Sequence, residues 1–147
     1  MGVNEDGIRA VVQRLFDEIW NGRQFDAIPE LYSSEYTVDY RPYSPLRHGH
    51  HAVREMVERA YETFPDFHEE LLAVIAEGDR AAVHLRVSGT QTGPWGPIGP
   101  TGKRLEYEEV VLLTFDADGR VVHQRGIVDN LNGLRQAGVI PSSPTRD

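Results

Sequence analysis

The sequence predicts an α+β fold in which helices cover one face of a curved antiparallel sheet. Amphipathic helical segments occupy the first half of the chain, and four long segments rich in β-branched and aromatic residues occupy the second half. With 147 residues, of which 39% are hydrophobic, the chain is long enough for one core. We expect a single domain over residues 1–140 and a disordered tail over 141–147.

The helices are predicted from apolar residues that recur at steps of three and one. A second, shorter helix is expected around Phe25 to Leu31, and a third from about Ala52 to Phe64, where Pro65 follows. The apolar residues of each long helix fall on one face of a 3.6-residue period, so that face is expected to pack on the core. In the first helix they are Ile8, Val11, Val12, Leu15, Phe16, Ile19 and Trp20.

The strands are predicted where the period changes and turn residues punctuate the chain. A short strand is expected at Tyr36 to Tyr40, and a terminal helix over 130–138. The long strands are Phe67 to Ala76, Arg80 to Gln91, Leu105 to Phe115 and Arg120 to Val128. Helices over one face of such a curved meander would enclose a pocket.

Charge and composition exclude several classes of protein. The formal net charge of -8 opposes binding to nucleic acid and to anionic membranes. No apolar run has the length of a signal peptide or a membrane span, so we expect a cytoplasmic protein. The absence of cysteine excludes disulfides and thiolate metal sites. His48 and His51 have a spacing that could bind zinc, but we interpret residues 47–51 as a solvated loop and helix start. His50 or His51 would be close enough to reach a cavity mouth.

Asp129 is the most informative single residue, because it stands where the last strand meets the terminal helix. If its side chain faces an apolar pocket, burial would raise the pKa of the carboxyl group toward the operating pH, as a base for carbon acids requires. An inward Asp129 would share its face of the strand with Ile127, Arg125 and His123. The alternative is that Asp129 only caps the terminal helix.

Six short motifs occur in the order and spacing of one known family. They are Phe64-Pro65-Asp66, Glu77-Gly78-Asp79, Gly89-Thr90-Gln91-Thr92-Gly93, Pro100-Thr101-Gly102-Lys103, Asp118-Gly119-Arg120-Val121-Val122, and Asp129 followed by Leu134-Arg135-Gln136-Ala137-Gly138. Over nearly its whole length the chain resembles the SnoaL-like polyketide cyclases. The resemblance implies a cone-shaped α+β barrel around an apolar cavity, shared with nuclear transport factor two, scytalone dehydratase and ketosteroid isomerase. It also implies a homodimer and chemistry without a metal or an organic cofactor.

The resemblance further implies a cyclase that closes a ring on a polyketide biosynthetic intermediate. In the cyclases, the aspartate that matches Asp129 is the general acid/base of an intramolecular aldol reaction. Glu109 matches a pocket amide of the family, and an inward Glu109 would place Tyr107 and Val111 on the same side. Glu109 would then be a like-charge neighbour of Asp129, a partner for Arg125, or part of a structural ion pair at the rim.

Other substrate contacts are less specific. Tyr40, like Tyr43, could donate to a substrate carbonyl or simply pack at the core or rim. Trp95 belongs to a Gly/Pro-rich loop between Gly89 and Gly102, which we interpret as a rigid hairpin loop, a pocket lid or a dimer contact. The predicted substrate contacts are Glu109, Tyr40, Gln91, Trp95, Arg125 and His51.

The chain departs from the family at three positions. Gln91 stands where members commonly carry histidine, Val111 where some cyclases carry a second histidine, and Arg125 where many members have tryptophan. These departures favour an alternative in which the cavity mainly folds the substrate for a pericyclic [4+2]-type closure. A hydroxylase or epoxide-hydrolase activity and a non-catalytic small-molecule binding protein are further alternatives.

Overall fold

The structure, a computed structural model, describes residues 4–141 and confirms the predicted α+β class. The helical elements are α1 (Glu5–Arg14), a π-helical segment (Leu15–Trp20), a 3-10 turn (Phe25–Ala27), α2 (Ile28–Leu31), α3 (His50–Thr63) and α4 (Asn130–Gln136). The strands are β1 (Tyr32–Asp39), β2 (Arg47–His48), β3 (His68–Glu77), β4 (Arg80–Thr90), β5 (Arg104–Phe115) and β6 (Val121–Val128). Of the predicted disordered tail, 141–147, all but Pro141 lies outside the described residues.

The strands form a single sheet in the order β2-β1-β6-β5-β4-β3. Strands β3 to β6 are the expected antiparallel meander. Strand β1, however, runs parallel to β6, so the sheet is mixed and not antiparallel throughout as the sequence predicted. A parallel pair needs a long crossover, which the chain supplies between β1 and β6, and alternation within single strands cannot reveal it.

The sheet is bent by irregularities in its strand pairing. Register shifts occur between Leu71 and Ala73 of β3 and between Thr114 and Phe115 of β5. An extra residue in one strand increases its local twist and bends it. The bent sheet presents a concave inner face to the helices.

Helix α1 begins at a side-chain cap and ends in a π-helical turn. Asn4 Oδ1 accepts a hydrogen bond of 2.7 Å from the Gly7 N–H, as an N-cap residue does. At the other end the Asn21 N–H donates to the Phe16 carbonyl at 2.8 Å, five residues back. This wider turn, which the sequence pattern did not predict, carries Trp20 to the interior of the fold.

The inner face of the sheet follows the expected alternation of buried and exposed residues. In β4 the buried positions include Val83, Leu85 and Val87, and in β5 they include Tyr107 and Val111. Helix α3 packs on the core through one face, on which Val53, Met56 and Val57 are buried. Within residues 4–141, none of the helices combines the length and the apolarity that crossing a membrane requires.

Candidate active site

The space between the helices and the inner face of the sheet is a cavity of about 270 Å³. Its walls are mostly aromatic and aliphatic, and they include Trp20, Met56, Phe64, Phe67, Val87, Trp95 and Tyr107. Several polar side chains interrupt this surface, among them Tyr40, Arg47, Glu69 and Glu109. An apolar cavity with a few polar groups is the usual form of a site for an organic ligand.

Glu109 lies on the inner face of β5, and its inward orientation agrees with the sequence prediction. Its side chain is 9% exposed, and its neighbours along the strand, Tyr107 and Val111, are also buried. Burial raises the pKa of the Glu109 carboxyl group to about 7, and a hydrogen bond from Tyr40 opposes this rise. A carboxyl group of this kind exchanges a proton readily near neutral pH.

A chain of side-chain hydrogen bonds fixes the position of Glu109. The Tyr36 hydroxyl donates to Gln124 Oε1 at 3.2 Å, and Gln124 Nε2 donates to the Tyr40 hydroxyl oxygen at 3.0 Å. The Tyr40 hydroxyl in turn donates to Glu109 Oε2 at 2.5 Å. Because the amide donates to the Tyr40 oxygen, the Tyr40 proton is directed at the carboxylate.

Gly126 provides the room that Tyr40 needs. A Cβ atom at this position would lie 1.9 Å from Tyr40 Cε1, so any larger residue would displace the ring. The sequence predicted Tyr40 as a polar contact in the pocket, and the structure places its hydroxyl beside Glu109.

Glu69 is a second buried carboxyl group in the cavity, and sequence reasoning missed it. Its side chain is 5% exposed, and Oε2 is buried without a hydrogen-bond partner among the described residues. Burial and the charge of Glu109 raise the pKa of Glu69 well above its ordinary value. The available signal was the alternation in β3, which places Glu69 on the same face as Phe67.

Arg47 is the third interior group, and the predicted solvated loop at 47–51 was wrong at this residue. Residues 47 and 48 pair with β1 as strand β2, and Arg47 lines the cavity. Its Nε and Nη1 atoms are buried, and neither donates to a residue within 4–141. A short strand of two residues has no periodicity that a sequence could show, which is why the inward side chain was not predicted.

Trp95 lies where the sequence suggested a lid. Its ring stacks on Tyr107 with centroids 5.8 Å apart and lines the cavity. The tip of its loop is closed by two backbone hydrogen bonds between Trp95 and Ile98, of 2.9 and 3.0 Å. Gly133 of α4 packs on the ring, since a Cβ there would lie 2.6 Å from Trp95 Cη2.

Gln91 was predicted to contact substrate, but the structure places it inside the loop and outside the cavity lining. Its Nε2 donates to the carbonyl oxygens of Gly93 and Gly99 at 3.0 and 3.1 Å. Its Oε1 accepts from the Thr101 hydroxyl at 2.5 Å. With its polar atoms engaged in this way, Gln91 braces the loop that carries Trp95.

Asp129 does not have the inward orientation on which its predicted role depended. It is exposed, and its Oδ1 accepts a hydrogen bond of 3.1 Å from the Asn132 N–H. The reason is the register of β6, in which Gln124 and Gly126 are buried and Ile127 is exposed. The observed contact is therefore the capping alternative, and a catalytic role for Asp129 stays a prediction.

Arg125 and His51 were also predicted as substrate contacts, and neither lines the cavity. Arg125 points to the outer face of the sheet, where Nη1 lies 3.1 Å from Asp39 Oδ1. It therefore has no contact with Glu109. His51 is exposed in the first turn of α3, because Ala52 and Val53 take the buried face. Of the seven predicted site residues, the cavity is lined by Glu109, Tyr40 and Trp95.

The described residues do not form a cluster of metal ligands. Within residues 4–141, no three or more histidine, cysteine, aspartate or glutamate side chains are grouped so as to hold a metal ion. The chemistry that the described cavity can supply on its own is proton transfer by carboxyl groups and hydrogen bonding by Arg47 and Tyr40.

Solved structures share this fold at low sequence identity. A proposed SnoaL-like polyketide cyclase from Jannaschia sp. CCS1 is 24% identical with a TM-score of 0.82, over 96% of this chain and 99% of that one. AclR, a proposed hydroxylase from Streptomyces galilaeus, is 24% identical with a TM-score of 0.80, over 97% and 87%. A protein with a ketosteroid isomerase-like fold from Catenulispora acidiphila DSM 44928 is 15% identical with a TM-score of 0.73, over 92% and 97%.

Sequence comparison identifies the family directly. No curated protein matches the chain. The family model for SnoaL-like polyketide cyclases, in contrast, matches residues 10–137, which include every strand and all the cavity residues described above. The chain therefore belongs to the SnoaL-like polyketide cyclase family.

Proposed function

We propose that the protein is a cofactor-independent cyclase that closes a ring on a polyketide intermediate, with Glu109 as its general acid/base. The observation that carries this proposal is a buried carboxyl group with a pKa raised to about 7 in an aromatic cavity. A base is most effective when its pKa lies near the operating pH. Glu109 thus takes the role that the family resemblance gives to Asp129.

The reaction needs a single proton carrier. The Glu109 carboxylate removes a proton from a carbon flanked by two carbonyl groups, which leaves an enolate. The enolate carbon then attacks a second carbonyl carbon of the same molecule, and a carbon–carbon bond forms. The resulting alkoxide takes the proton back from Glu109, so the enzyme returns to its starting state.

The walls of the cavity supply the second part of catalysis. A flexible polyketide has to fold before its two reacting carbons can meet, and a shaped site removes much of this entropic cost. The stacked rings of Trp95 and Tyr107 give a flat apolar surface for a conjugated chain. Tyr40 acts as a positioning residue, because it holds Glu109 Oε2 at a fixed place.

The test compares two carboxyl-to-amide variants. Candidate linear polyketides are incubated with the wild type, Glu109→Gln and Asp129→Asn, and cyclised products are measured by liquid chromatography and mass spectrometry. Proton abstraction is followed separately by exchange of the α-hydrogens of 2-tetralone in D2O. We expect Glu109→Gln to lose roughly a hundred- to ten-thousand-fold of both activities, the range for removal of a general base. Asp129→Asn should stay within a few-fold of the wild type, because asparagine also caps helices.

Two results would redirect the assignment. Near-complete loss in Asp129→Asn with activity retained in Glu109→Gln would return the general base to Asp129. Product formation retained in both variants would favour the pericyclic alternative, in which the aromatic walls fold the substrate and no proton carrier is needed.

We also propose that the chain forms a homodimer through the outer face of the sheet. Cross-strand pairing puts Ile75 beside Ala82, Ala82 beside Leu112, and Leu112 beside Arg125. Ile75 is 68% exposed and Leu112 is 43% exposed, which is unusual for large apolar side chains in one row. Such a row is a candidate for burial against a second copy.

Light scattering coupled to size-exclusion chromatography tests the dimer. Leu112→Glu would put a charge in the centre of the proposed interface and should shift the protein to a monomer. Leu131→Glu is the matched control, because Leu131 is equally apolar and exposed but lies on α4. A wild type that is monomeric, or a Leu112→Glu variant that stays dimeric, would reject this interface.

A further inference from the structure

Arg47 is half-buried at the wall of the cavity, and two of its three guanidinium nitrogens have no hydrogen-bond partner among the described residues. Its Nε and Nη1 atoms are buried and donate to no residue within 4–141, although the group lines the space beside aromatic walls. Buried polar groups are normally hydrogen-bonded, and buried charges are normally paired. The fold therefore carries a cost at Arg47 that an anionic ligand in the cavity would offset.

We propose that Arg47 is the recognition residue for an oxyanion on the substrate. The substrate class is then a polyketide that carries either a carboxylate or an enolisable 1,3-dicarbonyl group near its reacting end. This inference rests on the proposed function, since it names the substrate class for the same cavity. A guanidinium group donates charge-assisted hydrogen bonds, which are roughly twice as strong as neutral ones.

Arg47 is better suited to bind an anion than the other charged groups of the cavity. Arg59 also lines the cavity, but its side chain is 65% exposed and lies 3.9 Å from Glu55. Burial raises the pKa of Glu69 and of Glu109, which favours their uncharged forms, and an uncharged carboxyl group does not repel an anion. The titratable and charged groups that face the cavity or neighbour Arg47 are Tyr36, Tyr40, Arg59, Glu69, Tyr107 and Glu109.

Binding can be measured without turnover, because both tryptophans of the chain, Trp20 and Trp95, line the cavity. Quenching of their fluorescence reports the affinity of 2-naphthoate, an anion, and of 2-naphthamide, its neutral isostere. Arg47→Met removes the charge and keeps the aliphatic length, while Arg59→Met is the matched control. We expect Arg47→Met to weaken 2-naphthoate roughly ten- to a hundredfold. Arg59→Met, and 2-naphthamide with any variant, should change less than about threefold.

A second probe separates the two sources of the oxyanion. The enolate of 2-acetyl-1-tetralone absorbs at longer wavelength than the enol, so its fraction in the cavity is read from absorbance. If the oxyanion is an enolate, the wild type should shift the bound diketone toward the enolate and Arg47→Met should abolish the shift. If it is a permanent carboxylate, only 2-naphthoate should depend on Arg47. Either dependence supports the oxyanion site.

The affinity for 2-naphthoate should fall as the pH rises. As the pH rises through about 7, Glu109 becomes charged and should weaken 2-naphthoate binding, whereas Glu109→Gln should show a smaller pH dependence over this range. The affinity of 2-naphthamide should stay level over the same range.

Stability distinguishes a recognition role from a structural one. Removal of two buried nitrogens that lack partners is not expected to harm the fold, so the melting temperature of ligand-free Arg47→Met should equal or exceed that of the wild type. A variant that fails to fold, or melts several degrees lower, would show that Arg47 supports the fold and would overturn the proposal. Equal affinity of wild type and Arg47→Met for both anionic probes would overturn it as well. Neither result depends on cyclase activity, so the proposed function fails or stands separately.

Discussion

Glu109 and Asp129 are carboxylates on neighbouring stretches of chain, and they have opposite environments. Glu109 pairs with Val128 across the sheet, and the Asp129 N–H donates to the carbonyl of Glu108 at 2.9 Å. Glu109 is nevertheless buried and hydrogen-bonded to Tyr40, whereas Asp129 is exposed and caps α4.

The difference shows that strand register decides which of the two carboxyl groups is buried and can act as a base in the cavity. Side chains alternate between the two faces of a strand, so a shift of one residue exchanges the interior for the solvent. On the inner face, loss of water raises the pKa of Glu109 to about 7. On the outer side, Asp129 has the ordinary task of satisfying a helix N–H group.

The largest expected contrast between the two residues is in the pH dependence of stability. The pKa of Glu109 is about 7 in the folded protein against an ordinary value of 4.5, so the folded state keeps a proton that the unfolded state has released. The free energy of unfolding should therefore fall as pH rises from about 4.5 to about 7, by up to about 3 kcal/mol. Urea titrations should show Glu109→Gln more stable than the wild type at pH 8 and similar to it near pH 4.5.

Asp129→Asn is the control for this measurement. It should keep the pH dependence that Glu109 causes, because Glu109 and its hydrogen bond from Tyr40 are left in place. If Glu109→Gln and the wild type respond to pH in parallel, the buried carboxyl group does not titrate as the structure indicates.

A smaller effect is expected from the hydrogen bond that distinguishes Glu109. In Tyr40→Phe the bond that lowers the pKa of Glu109 is lost, so that pKa should rise further above 7. The same change leaves Gln124 Nε2 without an acceptor, at a stability cost of roughly 1–3 kcal/mol. Carbon-13 NMR titration of the Glu109 carboxyl group measures the shift. An unchanged or lower pKa would mean that Tyr40 does not stabilise the carboxylate.

The smallest expected effect concerns the cap. Asp129→Ala should lower the free energy of unfolding by about 1 kcal/mol, while Asp129→Asn should cost only a few tenths. Chemical denaturation at pH 7 separates these values. Equal losses in both variants would argue that the charge of Asp129, and not its capping contact, is what the protein needs.

The elements set by local periodicity could be predicted from the sequence. The apolar spacing in α1 and α3 and the alternation in β4 and β5 predicted these elements, and alternation also gave Tyr107, Glu109 and Val111 their common inner face. Errors arose where pairing with another strand decides the outcome. The parallel pairing of β1 with β6 is one case, and the outward orientation of Arg125 and Asp129 is the other.

Glu69 and Arg47 were missed for a different physical reason. Glutamate and arginine are rarely buried, so composition assigns them to the surface. Here both line a cavity together with Trp20 of the π-helical segment and Met56 of α3, a tertiary arrangement that the pattern of one strand does not show. The sequence showed that Gln91 and Val111 depart from the family. It did not show that Glu69 joins Glu109 in the cavity.

The loop that carries Trp95 is anchored to α3, where the Thr63 hydroxyl donates to the Pro94 carbonyl at 2.7 Å. The amide of Gln91 holds its two arms together, and its tip closes on itself between Trp95 and Ile98. The β4–β5 hairpin below it is held by its own ladder of pairs and does not depend on the identity of the tip. Since Pro94, Trp95 and Gly96 line the cavity, other tips grafted between the same anchors would reshape one of its walls, which makes this loop the natural starting point for engineering substrate range.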